Sequence, residues 1–200
     1  MLTPLQVATL GVLAEEPRHP YDCYRLLMHR RADRVVRIRT GTLYHAIARL
    51  EAEGLVAEVG TDREGNRPER TTYRITDDGR SALEAQLRTM LAEPEQEHPP
   101  FRLAISEAHN LPRDAVVAAL GDRVAALEAA ASDMADAADD LGRTDLPEAV
   151  WLELALELHL TRAEADWTRE TTARIDSGDI PWDLVFSPER RAAQQAALDA

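Results

Sequence analysis

Two short β-prone stretches in a chain otherwise patterned for helices do most to limit its fold. Leu55-Val56-Ala57-Glu58-Val59 and Thr71-Thr72-Tyr73-Arg74-Ile75 are separated by a polar, turn-rich run over 60–68 and read as a hairpin. Three helical segments precede it. Thr3 caps the first, which opens at Pro4, with Gln6 three residues after the cap and Leu2 placed to staple onto Val7. Its stripe of Leu5, Ala8, Val12 and the neighbouring Thr9 and Leu13 ends at Glu16-Pro17, which predicts a helix to about residue 15. From Tyr21 to Arg31, Tyr24, Leu27 and Met28 share one side of a second helix. Thr40-Gly41-Thr42 supplies cap residues before Leu43, Ile47 and Leu50 of a third, and Gly54 stops it in the left-handed conformation that glycine adopts cheaply. After the hairpin, Thr76 caps a helix with Leu83, Leu87, Met90 and Leu91 on its apolar side, running to about Ala92.

Three helices, a hairpin and another helix are the order of a winged helix-turn-helix. With Leu43, Ile47 and Leu50 turned inward, Thr40, Thr42, Tyr44, His45 and Arg49 are left on other faces of the third helix, where they can meet base edges and phosphates. Arg30, Arg31, Arg34, Arg37 and Arg39 crowd a segment with one acid, Asp33, and fit phosphate contacts, Arg34, Arg37 and Arg39 foremost. Arg63 and Arg67 on the wing suit a minor groove.

The net charge of −13 at first argues against nucleic acid, but its distribution reverses that. Residues 1–80 carry +1 and residues 81–200 carry −14. Glu93-Pro94-Glu95-Gln96-Glu97-His98-Pro99-Pro100 breaks the helical pattern, so the chain divides into a winged domain over 1–92, a hinge over 93–100 and a helical domain over 101–200. In the last, Val124, Leu127, Ala131, Met134, Ala138 and Leu141 alternate spacings of three and four along a helix expected to start near Pro112. Another helix is expected from about Pro147 to about Ile175, with Asp145 as its cap and Glu148 behind it. Its first half, from Trp151 to Leu160, is apolar nearly all round, which calls for partners on several sides and points to a homodimer.

The motifs Gly41-Thr42-Leu43-Tyr44, Arg49-Leu50-Glu51-Ala52-Glu53-Gly54-Leu55, Arg67-Pro68, Tyr73-Arg74-Ile75-Thr76 and Gly79-Arg80 together resemble PadR-type transcription regulators over roughly residues 3–85. Ala163-Glu164-Ala165-Asp166-Trp167 is similar, more loosely, to the helical C-terminal domain of the longer members. The resemblance implies a dimer joined by C-terminal helices, a twofold-symmetric operator in double-stranded DNA, and release on binding a small molecule such as a phenolic compound. His45 stands where proline is frequent in that family, Asn66 where the wing often carries glycine, and Pro20 where glycine commonly introduces the second helix. Trp151, Trp167 and Trp182 are the candidate walls of an aromatic effector cavity, which we expect between the C-terminal helices and the winged domains.

Other classes fit less well. No Gly-rich phosphate loop, metal-binding His pair or nucleophile elbow appears, so neither an enzyme nor a cofactor or metal is expected. Cys23, the one cysteine, reads as a packing residue despite His19 and His29 nearby. No apolar run is long enough to span a membrane and no basic leader opens the chain, which makes the cytoplasm the default compartment. The competing reading is an acidic helical adaptor that uses its winged helix for protein contacts.

Overall fold

Capping and apolar spacing set the elements of the N-terminal unit. The computed structural model describes residues 1–62, 70–94, 98–182 and 195–197, and separates into the units Met1–Gln96 and Glu97–Ala200. In the first, α1 (Pro4–Glu15) opens on a capping box: Gln6 N donates to Thr3 Oγ1 at 3.3 Å, and Thr3 N donates to Gln6 Oε1 at 2.9 Å. α2 (Pro20–His29) begins one residue earlier and ends two earlier than its apolar spacing suggests, because His19 Nδ1 accepts from Tyr21 N and caps it. A 3-10 turn, Ala32–Arg34, then leads towards α3 (Thr40–Ala52).

Thr40 and Thr42 do not cap α3 as expected. The helix already starts at Thr40, Arg39 holds the cap position, and Thr42 lies inside the first turn, where Arg39 N donates to its Oγ1 at 3.2 Å. Gly54, at φ +73°, ends the segment as its position predicts.

β1 (Val56–Asp62) and β2 (Arg70–Ile75) pair antiparallel, Val56 opposite Ile75 and Glu58 opposite Tyr73, with a register shift between Glu58 and Gly60. Arg18 and Tyr73 exchange two backbone hydrogen bonds, so the α1–α2 connection adds a short third rung to the hairpin. α4 (Asp77–Ala92) follows, capped by Thr76 Oγ1 accepting from Gly79 N at 3.0 Å. One core joins these elements: Leu10, Leu13, Cys23, Leu43, Ile47 and Leu50 are almost wholly buried, with Val56 and Ile75 supplied by the strands.

The second unit is helical. α5 (Pro100–Glu107) starts inside the segment read as a hinge, because a proline that breaks a helix interior is favoured in its first turn. α6 (Arg113–Gly142) and α7 (Leu152–Ser177) pack along each other, tied by Arg123 to Glu164 and Arg169 to Glu128. The α6 seam from Val124 to Leu141 is at least partly buried along its length. α7 begins later than expected, since a 3-10 turn at Glu148–Val150 comes first, and no Asp145 cap forms there; Leu146 N donates to Thr144 Oγ1 instead. Val116, Leu120 and Ile175 make a small core, with Phe101, Ile105, Ile180 and Trp182 against it. No helix of the described residues is long and apolar enough to cross a membrane.

Candidate nucleic-acid interface

The third helix presents its polar side to solvent because its apolar side is consumed by the core. Leu43, Ala46, Ile47 and Leu50 are buried, and Thr40, Thr42, Tyr44, His45 and Arg49 are exposed. Tyr44 remains 42% exposed, and its ring meets His19 edge-on at 6.3 Å, a contact that fixes the phenol beside the start of α2. Gly41 and Ala48 are exposed on the same face, four residues before and three after His45. Neither carries a polar group that would mark it as a contact residue, yet helical spacing alone puts both beside His45.

Arg34, Arg37 and Arg39 are exposed, and among the described residues neither they nor Arg49 takes an ion-pair partner. Arg30 behaves differently. Its guanidinium embraces the Glu15 carboxylate in a bidentate pair, Nη2 to Oε2 at 2.9 Å, so its charge is largely spent within the fold. The hydrogen bond from Arg30 holds the Glu15 carboxyl below the usual carboxylate range. Arg18 is likewise committed, to Glu16 at 2.6 Å. Arg63 and Arg67 lie outside the described residues.

Tyr73 braces α3 from the hairpin, its hydroxyl donating to Glu51 Oε2 at 3.5 Å. Burial, and then the Glu51 charge, push its phenol up from the ordinary value. Cys23 is fully buried, and desolvation raises its thiol to about 11, so it is a packing residue in a reduced, protonated state.

The tryptophans of the helical unit stand in separate settings. Trp182 packs on the small core and its Nε1 donates to Leu111 O at 2.8 Å. Trp167 is 47% exposed and meets Phe101 edge-on at 6.3 Å, with the Arg123 guanidinium 3.6 Å from that ring's centre. Trp151 is half-buried at the start of α7, about 24 Å of helix away from Trp167. An open groove of about 450 Å³ between α6 and α7 is floored by Ala131, Ser132, Ala135 and Ala165 and contains none of the three. Among the described residues no cluster of three or more His, Cys, Asp or Glu could hold a metal ion.

The arrangement can do one thing well: it offers a rigid helix with short polar side chains, flanked by uncommitted arginines, to a regular polyanion. Residues 9–85 match the Transcriptional regulator PadR-like family. Bacillus subtilis PadR in complex with operator DNA has the same fold, with a TM-score of 0.73 and 22% identity over 86% of this chain and 99% of that one. The same protein in complex with p-coumaric acid aligns with a TM-score of 0.71 and 19% identity, covering 88% of this chain and 99% of that one. The smu.1604c protein from Streptococcus mutans UA159 aligns with a TM-score of 0.60 and 16% identity, covering 86% and 99%. Among curated proteins none matches the chain in sequence. Over its winged helix-turn-helix unit the chain is thus similar to the Transcriptional regulator PadR-like family, and over most of its length it shares the fold of Bacillus subtilis PadR.

Proposed function

We propose that this regulator is a cytoplasmic homodimer that represses transcription from a twofold-symmetric operator and leaves it when a small aromatic effector binds. The observation that carries the DNA reading is the exposed face of α3, with Thr40, Thr42, Tyr44, His45 and Arg49 turned outward and Arg34, Arg37 and Arg39 uncommitted beside it. Base edges are read by the first group and phosphates by the second. Wing residues Arg63 and Arg67 complete the interface in the minor groove.

The dimer reading rests on α7. Leu152, Leu156, Leu160 and Trp167 follow one another at helical spacing on its outer side, and each is about half exposed or more. A second copy covering that row removes from water an apolar surface larger than isolated solvent-facing leucines account for. Effector release rests on a neighbour of the same fold, Bacillus subtilis PadR, solved in one structure with operator DNA and in another with p-coumaric acid. Such coupling is expected to weaken DNA binding about 5-fold to 150-fold.

A duplex mobility-shift series over rising salt tests the reading. The expected result is a specific complex whose affinity falls log-linearly with salt as counterions are released. Absence of any complex at low salt would sink it.

A further inference from the structure

Two positions of the helix-turn-helix carry the residue type that the fold itself disfavours. Arg31, between α2 and the 3-10 turn, adopts φ 57° and ψ 28°, and it is the one non-glycine residue with positive φ among the described residues. Left-handed backbone is cheap for glycine and costs other residues. Nothing in the described chain repays that cost through the side chain: Arg31 is exposed, and no hydrogen bond or ion pair engages its guanidinium. Its structural contribution is backbone alone, Arg31 N donating to Met28 O at 3.1 Å, which any residue but proline supplies.

Gly41 is the inverse case. It lies in the first turn of α3 without a positive φ, and a Cβ built there meets nothing within 4 Å. Neither conformation nor crowding asks for glycine, and alanine is the better helix former; the same holds for Gly11 in α1 and Gly121 in α6, so what sets Gly41 apart is its exposed place beside His45. Gly79, by contrast, has a reason inside the chain, since a Cβ there would stand 2.1 Å from Leu55 O. On α3, Gly41 sits one turn before His45 on the side opposite the buried Leu43, Ile47 and Leu50.

We propose that both positions are set by DNA rather than by the fold, Arg31 as a phosphate clamp at the α2–α3 turn and Gly41 as a bare stretch of helix backbone that lets α3 approach the base edges. This rests on the DNA reading above; within the arginine cluster it singles out Arg31, and it adds Gly41 as a contact of a different kind. Arg31 carries its guanidinium beyond the end of α2, alongside Arg34 and Arg37, and gives uniform electrostatic affinity. Gly41 sets how deeply His45 and Thr42 reach, and so gives discrimination. A methyl group at 41 holds the helix away from the groove floor.

The test uses the full chain as wild type, Arg31→Gly, Arg31→Lys and Gly41→Ala. Each is measured for thermal unfolding and for affinity over a salt series, on a duplex recovered by the wild type from a random pool and on an unselected duplex. Arg31→Gly and Gly41→Ala should both unfold about 2–4 °C higher than wild type. Arg31→Gly should lose the same factor on both duplexes and flatten the salt slope by about 1 per protomer, with Arg31→Lys restoring the slope. Gly41→Ala should lose tenfold or more on the selected duplex and little on the unselected one. Higher melting with unchanged DNA affinity, or lower melting in either variant, overturns the proposal while leaving the DNA reading intact. A wild type that recovers no preferred duplex overturns both.

Discussion

Gly79 shows how a single atom fixes the entry into α4. Thr76 Oγ1 donates to Gly54 O at 2.8 Å and accepts from Gly79 N, while Thr76 N donates to Leu55 O, so the end of α3, the start of β1 and the first turn of α4 converge on one point. A side chain on Gly79 would collide with Leu55 O and with Ile75 Cγ1 at 2.9 Å. Gly79→Ala is therefore expected to destabilise by roughly 1–3 kcal/mol, as overpacking does, measurable as a lower urea midpoint with an unchanged slope. Cys23 makes a pH prediction. In the fold its thiol keeps the proton up to about 11, against an ordinary 9.0. Between those values unfolding releases a proton, so stability is full below about 9 and falls as pH rises through 11. Cys23→Ala should remove that alkaline slope, and a thiol reagent should label the native wild type no faster than it unfolds. On α3 the expected division is that His45→Ala and Arg49→Ala alter preference among operator sequences, with roughly 1–3 kcal/mol per well-formed base contact. Arg34→Ala and Arg37→Ala should weaken all duplexes alike, and equal losses on specific and random DNA for Arg49→Ala would contradict the division.

At the scale of elements, what the sequence showed and what it hid follow from physical range. The capping box of α1, the stop at Gly54 and the inward set Leu43, Ile47 and Leu50 are local signals, and each is where spacing placed it. The start of α3 lies earlier than expected because threonine beside glycine reads as a cap, and α5 has no counterpart among the expected helices because consecutive prolines read as a break. Arg30 was grouped with the phosphate-facing arginines, since no local pattern reveals a partner fifteen residues away on α1. The left-handed turn at Arg31 has no sequence signal either, since no glycine or asparagine marks it. The face of α7 is a mixed case: its apolar excess was legible, and the structure adds which residues the protomer leaves uncovered. Leu156→Glu or Leu160→Glu puts a charge in that row without touching the α6 side. Either substitution is expected to convert a dimer of about twice 22.2 kDa to monomer by light scattering, with helix content unchanged. Wild type running as a 22.2 kDa particle at micromolar concentration would remove the dimer from the account.

For the molecule as a whole, charge is partitioned with function. All 23 cationic side chains are arginine, whose planar guanidinium matches phosphate oxygens two at a time. Thirteen of them lie in residues 1–80, and the acidic excess falls in the C-terminal part of the chain. If two such winged helices read DNA together, the protein should select a paired site from a pool of random duplexes. Enrichment is expected of an inverted repeat whose half-site centres lie about one helical turn apart, roughly 34 Å, or a multiple of it. Recovery of a single unpaired half-site, or of no common sequence at all, would contradict it.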